Sequence, residues 1–173
     1  MTAATLILAL VTLQRLSELV LSRYNTVRLL ARGAVEIAPE HYPLLVATHA
    51  AWLIALWIWG RDQDVNGVAL AIFILLQGLR FWVLATLGSR WTTRIIVLPD
   101  APLVTSGPYR YLSHPDYAIV AAEIAVLPLA LHLPLLSAIF TVVNALVLAI
   151  RIRAESHALK GARPAGSAGN LNG

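Results

Sequence analysis

Apolar stretches of bilayer length leave this chain few ways to fold. Ala3 to Leu21, Tyr42 to Trp59 and Val68 to Leu87 each approach the roughly 20 apolar residues that a helix needs to cross a hydrocarbon core. Lipid offers backbone polar groups no partners, so such segments must close their hydrogen bonds internally, as helices. Two further stretches, Tyr117 to Leu131 and Leu135 to Ile152, are separated by a turn between Pro128 and Pro134. At about 1.5 Å per residue the fourth reaches only about 22 Å of a core about 30 Å thick, so it reads as one arm of a hairpin with the fifth. The expected fold is therefore an all-α integral membrane protein of about five transmembrane helices, near 3–21, 42–59, 68–87, 117–131 and 135–152. A single membrane domain over 1–160 accommodates them, and the Gly/Ala/Ser/Asn-rich tail 161–173 reads as disordered.

Composition narrows the chemistry. Of 173 residues 58% are hydrophobic and 13% charged, against about 25% charged in a soluble domain. The chain has no cysteine, which excludes disulfides, thiolate zinc sites, iron–sulfur clusters and a Cys nucleophile. His41, His49, His114, His132 and His157 lack any close ligand spacing, so no metal is expected.

The net charge of +4 does not call for nucleic acid, because most of the arginines flank apolar segments. With five spans and the N-terminus outside, Arg23, Arg28, Arg32, Arg90, Arg94, Arg110, Arg151, Arg153, Lys160 and Arg163 share the cytoplasmic side, against Arg61 alone opposite. The expected setting is a bacterial plasma membrane with the C-terminus cytoplasmic. No basic n-region or cleavage pattern marks the first stretch as a signal peptide, so it reads as a retained helix. Trp52, Trp57, Trp59, Trp82, Trp91, Tyr24 and Tyr42 read as interfacial anchors.

The polar run Gly107-Pro108-Tyr109-Arg110-Tyr111-Leu112-Ser113-His114-Pro115-Asp116-Tyr117 stands out against this background. It closes a loop, Gly88 to Asp116, far longer than ordinary connections, and such loops are generally functional or disordered. Disorder is disfavoured by the apolar anchors Ile95-Ile96-Val97-Leu98 and Leu103-Val104, and by Pro99, Pro102, Pro108 and Pro115. Each residue before a proline is held extended, which fixes where Tyr109, Tyr111, His114 and Tyr117 point. Rings, backbone donors and one imidazole in a stiff loop suit an adenine-sized polar ligand; an interfacial loop meeting lipid headgroups is the plainer alternative.

Other ionisable residues fall within spans, where they are costly and usually face the protein interior. Arg15 and Glu18 lie three apart and are expected to neutralise each other, and Arg80 is expected to pair with Glu123 across helices. His49 and Asn144 read as satisfied packing groups rather than ligands. At the end of the last stretch Arg151 and Glu155 share a helix face. They form either a solvated ion pair or a fork for an anionic group beside a carboxylate.

The order of Gly78-Leu79-Arg80-Phe81-Trp82, Leu87-Gly88-Ser89-Arg90-Trp91, Leu103-Val104-Thr105-Ser106-Gly107-Pro108-Tyr109-Arg110-Tyr111, His114-Pro115-Asp116-Tyr117 and Arg151-Ile152-Arg153-Ala154-Glu155 resembles the isoprenylcysteine carboxyl methyltransferase family. The resemblance covers about residues 78 to 159 and is nearest the small bacterial branch, alkylpyrone and alkylresorcinol O-methyltransferases among them. Ser113 stands where the family usually has Arg, and Ser156 where a second glutamate usually follows Glu155. The resemblance implies an S-adenosyl-L-methionine-dependent O-methyltransferase acting on a carboxylate or hydroxyl of a lipophilic small-molecule acceptor in the bilayer. Cofactor binding would fall to Tyr109, His114, Pro115, Tyr117 and Glu155, and catalysis to Arg151 and Glu155. A functional link to a type III polyketide synthase is a further implication.

A methyl sulfonium is already activated, so alignment and exclusion of water do most of the work. A carboxylate acceptor needs no base, whereas a weakly acidic phenol needs one, and His114 or Glu155 is the candidate. Two alternatives use the same chain differently. An NADPH-dependent membrane reductase of the steroid 5-alpha-reductase type usually carries Gly-Glu shortly after the tyrosine of the His-Pro motif, where Ala118-Ile119-Val120 follow Tyr117 here. A non-catalytic lipid-binding membrane subunit is the other.

Overall fold

The computed structural model describes residues 2–99, 101–102 and 104–161, with side chains described through Arg153. Leu103, the side chains of Glu155 and Ser156, and the tail beyond Gly161 lie outside the described residues. Five helices run in chain order: α1 (Ala3–Leu30), α2 (Tyr42–Trp59), α3 (Gly67–Leu87), α4 (Pro115–Ala130) and α5 (Pro134–Gly161). The chain is an all-α membrane protein.

Local chemistry sets the helix starts. Thr2 caps α1 by accepting from the Thr5 N–H at 3.1 Å, and Asn66 caps α3 by accepting from the Ala69 N–H at 3.0 Å. Proline stands in the first turn of α2 and of α4, where a missing N–H costs nothing. The turn from Leu131 to Leu133 brings α5 back along α4: His132 adopts φ 55° and Leu133 N–H reaches the Pro128 carbonyl at 2.8 Å. Farther along, Ser137 Oγ donates to the Ala125 carbonyl at 2.7 Å, so the last two helices form the expected hairpin.

Four helical stretches, Ala3–Leu30, Pro39–Trp59, Gly67–Arg90 and Pro134–Arg153, are long and apolar enough to cross a membrane. The fourth helix, α4, has 16 residues, about 24 Å, and packs against both α3 and α5 instead. Polarity is inverted relative to a soluble bundle. Leu13, Val20, Ile74, Phe81 and Leu146 are exposed, while Glu18, Arg80, Glu123 and Asn144 are buried. Lipid solvates the former group and rejects the latter.

Two expectations need correction. Trp52 and Trp91 are each 1% exposed, so they are core residues rather than interfacial anchors. Trp52 spends its Nε1–H on the Ile124 carbonyl at 3.3 Å and packs with Leu8, Leu56 and Leu127. Trp91 packs with Val83 and Ile119. Large rings filling the gaps between helices bury more apolar area than any smaller side chain could.

The first helix continues well past its apolar stretch to Leu30, and its extension holds the long loop. Asn25 Nδ2 donates to the carbonyls of Trp91 at 2.8 Å and Gly88 at 3.3 Å, and Ser22 Oγ accepts from the Thr93 N–H at 2.9 Å. The loop also pairs with the α1–α2 connection in a two-stranded antiparallel ribbon. In it β1 (Val35–Glu36) meets β2 (Ile96–Val97), with Val35 opposite Val97. An ion pair from Arg94 Nη1 to Glu36 Oε1 at 2.6 Å flanks the ribbon.

Candidate functional site

Ionisable residues in the middle of the bundle gather into one network. Arg80 on α3 donates from Nε to Glu18 Oε1 at 2.6 Å and from Nη2 to Glu18 Oε2 at 2.7 Å, a fork that fits both carboxylate oxygens. Its Nη1 reaches Glu123 Oε2 on α4 at 3.3 Å and stands 3.8 Å from Asp116 Oδ1. Arg15 bridges the same carboxylates, with Nη1 to Glu18 at 3.1 Å and Nη2 to Glu123 at 2.6 Å. Gln14 and Gln77 complete it: Gln14 Nε2 donates to Glu18 and Gln77, and Gln77 Nε2 donates to Glu123 Oε1 at 3.0 Å. The Arg15–Glu18 and Arg80–Glu123 pairs expected from the sequence both exist. What spacing along the chain concealed is their union, because it depends on α1, α3 and α4 meeting.

This network forms one wall of a cavity of about 220 Å³. Leu16, Leu19, Leu45, Val46, Leu53 and Leu148 give the cavity an apolar lining, and Tyr42, His49, Trp91, Asp116, Tyr117 and Arg151 also line it. Of the buried polar side-chain atoms that lack a hydrogen-bond partner among the described residues, Arg15 Nε, Trp91 Nε1 and Asp116 Oδ1 belong to residues lining this cavity. Each of the three atoms is closed off from that space, so they mark tight packing behind its wall rather than groups offered to a ligand. Asn144 Oδ1 also lacks a partner among the described residues, so that amide is not the satisfied packing group expected.

The polar loop meets this cavity through its last residues. Tyr117 and His114 stack with ring planes 3° apart and centroids 5.2 Å apart, and His114 is exposed. Arg151 on α5 donates from Nε to the Tyr117 hydroxyl at 2.9 Å, and its guanidinium carbon lies 5.3 Å from that ring's centroid. Tyr117 and Arg151 therefore join one wall, with His114 stacked behind.

Pro115, buried, opens α4 and sets the direction in which Tyr117 leaves it. Tyr109 instead packs against the Val83, Trp91 and Ile119 cluster beside the cavity. Gly107 adopts φ 58°, not the extended backbone expected before Pro108, and a Cβ there would stand 2.5 Å from Thr86 Oγ1, so the loop lies against α3 at a point that opposes any side chain. Glu155 follows Arg151 along α5 with its side chain outside the described residues. Among those residues no group of His, Cys, Asp and Glu could hold a metal ion.

The family model of isoprenylcysteine carboxyl methyltransferases matches residues 69–161. That span holds Arg80, the whole loop, α4 and Arg151, and leaves out α1 and α2. The uncharacterized protein YpbQ of Bacillus subtilis (strain 168) is 35% identical over 161 residues, covering 90% of this chain and 95% of that protein. An uncharacterized protein of Haemophilus influenzae is 28% identical over 137 residues, covering 76% of this chain and 80% of that protein. No solved structure gives a significant match.

Proposed function

The chain belongs to the isoprenylcysteine carboxyl methyltransferase family of membrane methyltransferases, and from that premise we propose that it moves a methyl group from S-adenosyl-L-methionine to an oxygen of a lipidic acceptor. The observation that carries this reading is the cavity itself. It is apolar enough for a hydrocarbon chain, and its lining includes Asp116, Tyr117 and Arg151, where the His-Pro loop meets α5.

The residues present fit a cofactor with a flat base and polar groups. The exposed imidazole of His114, backed by Tyr117, offers a stacking face, and Tyr117 and Arg151 bring a hydroxyl and a guanidinium to the residues around the cavity. Tyr109, Pro115 and Glu155 complete the proposed binding set. When bound, the cofactor supplies an activated methyl carbon on sulfonium sulfur, so no covalent enzyme intermediate is required.

The protein's own work is positioning and dehydration. Arg151, steered by the Tyr117 hydroxyl, holds the acceptor's oxygen-bearing head group, with Glu155 as its catalytic partner. The leucines and valines of α1, α2 and α5 exclude water and receive the chain, and low water content strengthens every polar contact at the head. Loop and C-terminus are proposed to face the cytoplasm of a bacterial plasma membrane, which gives a soluble cofactor direct access. A type III polyketide synthase is a proposed source of the acceptor.

Calorimetry on the purified protein in detergent tests the cofactor. Saturable binding of S-adenosylhomocysteine with no heat from NADPH supports the methyltransferase, and the reverse pattern supports a reductase. Tritiated methyl transfer into a lipid extract tests the reaction, and cofactor binding without any transfer would leave a lipid-binding subunit.

A further inference from the structure

The last turns of α1 carry an outer surface that methyl transfer leaves unused. At about 1.5 Å per residue the helix, 28 residues long, reaches about 42 Å, well beyond a hydrocarbon core about 30 Å thick. Its apolar stretch ends at Leu21, so the excess lies at the C-terminal end, where Arg23, Arg28 and Arg32 are all exposed. Among the described residues no carboxylate pairs with any of the three. Glu18 and Glu36, the flanking carboxylates along the chain, are held by Arg80 and Arg94.

Apolar side chains continue between these arginines. Leu21, Tyr24, Val27 and Leu30 are exposed, Tyr24 by 58% and Val27 by 61%. At about 3.6 residues per turn Tyr24 and Val27 fall in the middle of the outward arc, with Arg23 on one border and Arg28 on the other. Arg28 turns back over Tyr24: its guanidinium carbon stands 5.3 Å from the ring centroid, and Nη1 donates to the hydroxyl at 3.3 Å. A helix C-terminus favours basic residues, yet it gives no reason to expose a tyrosine and a valine between them. Acyl chains beside phosphates match both parts of the face, because the chains cover Tyr24 and Val27 while the arginines snorkel to the phosphates.

The inner face of the same turns has a different task. Ser22, Asn25 and Leu29 are buried there. Asn25 holds the carbonyls of Trp91 and Gly88, and Ser22 Oγ accepts from the Thr93 N–H. Trp91 and Thr93 both line the cavity. One short segment of helix thus faces lipid on its outside and the start of the long loop on its inside.

We propose that the outer face from Val20 to Arg32 is a docking surface for an anionic phospholipid, and that lipid bound there steadies the start of the loop on the opposite face. A zwitterionic lipid supplies chains without net charge, and an acidic protein supplies charge without chains. Neither docking nor its effect on the loop depends on which molecule the cavity binds.

The test uses the purified full chain in a neutral detergent, with phosphatidylglycerol, phosphatidylcholine of the same chains, or poly-L-glutamate added. Phosphatidylglycerol should raise the melting temperature well above that in phosphatidylcholine, as a ligand of the folded state does. In the triple variant Arg23→Gln, Arg28→Gln and Arg32→Gln its half-saturating concentration should rise about 100-fold, from about five-fold for each arginine beside an anionic surface. Arg61→Gln, at the other end of the bundle, should respond as wild type does. The triple variant should melt with wild type in phosphatidylcholine; if it melts lower, Arg28→Gln alone is compared, with about a five-fold rise expected. In bilayer nanodiscs, amide exchange from Trp91 to Val97 should slow when phosphatidylglycerol replaces phosphatidylcholine, in wild type and not in the variant.

Equal stabilisation by the two lipids, or an undiminished response in the arginine variant, would overturn the docking surface. Equal stabilisation by poly-L-glutamate would overturn it too, and would assign the face to an acidic protein. A melting shift without any change in loop exchange would overturn the effect on the loop.

Discussion

Arg80 and Glu18 are joined by two short hydrogen bonds, 2.6 and 2.7 Å, that tie α3 to α1 in the interior of the bundle. Both are almost fully buried, and when Glu18 is neutralised Arg80 keeps Glu123 at 3.3 Å but loses its two-bond fork. Glu18→Gln should therefore cost about 1–3 kcal/mol, and the detergent-solubilised protein should melt several degrees lower. The double change Arg80→Met with Glu18→Leu removes both charges together and should recover much of the loss. Thermal unfolding of the three variants checks this, and a double variant worse than the single one would contradict it.

Arg151 and Tyr117 belong to a second pairing, between the end of α5 and the start of α4. Arg151→Ala should abolish methyl transfer while leaving the folded protein intact, and Arg151→Lys should lose at least 10-fold because a point charge cannot replace the planar fork. Tyr117→Phe keeps the stacked ring but removes the hydroxyl that accepts from Arg151 Nε, so a loss of about 10-fold is expected. Glu155→Ala should abolish transfer as well. Turnover assays with each purified variant decide this, and full activity in Arg151→Ala or Glu155→Ala removes those residues from the site.

How much of this could be read in advance differs from part to part. Helices were legible, because apolar runs of bilayer length have one way to satisfy their backbones. The resemblance singled out Tyr117 and Arg151 but not the hydrogen bond between them, and it said nothing of the cavity's other half. Glu18, His49 and Tyr42 lie on α1 and α2, and no local spacing says that these helices close over α4. Trp52 and Trp91 misled because the same ring serves an interface or a core, and only packing decides which.

Gly107 offers a test of how tightly the loop must lie against α3. Its left-handed φ and the 2.5 Å that would separate an added Cβ from Thr86 Oγ1 both oppose a side chain, one by backbone strain and one by collision. Gly107→Ala should weaken S-adenosylhomocysteine binding by about 10-fold, since strain of about 1–3 kcal/mol falls on the loop that leads to His114. Adding Thr86→Ala removes the collision and leaves the strain, so it should restore part of the affinity. Unchanged binding in Gly107→Ala would mean that the loop's path does not govern the cofactor site.

Asn25 sets the other end of the same loop. Asn25 is 2% exposed and its amide donates to the carbonyls of Gly88 and Trp91, the first of which also accepts from the Trp91 N–H. Asn25→Ala leaves those carbonyls without that donor, at a cost of about 1–3 kcal/mol. The loss should appear locally before it appears globally, because α1 and α3 keep their own contacts. Amide exchange should therefore quicken from Trp91 to Val97, including the ribbon with Val35 and Glu36, while α2 and α4 exchange as before. Trp91 also lines the cavity, so the same variant should bind S-adenosylhomocysteine more weakly. Uniformly faster exchange across every helix would instead make Asn25 a general stabiliser of the bundle, with no special hold on the loop.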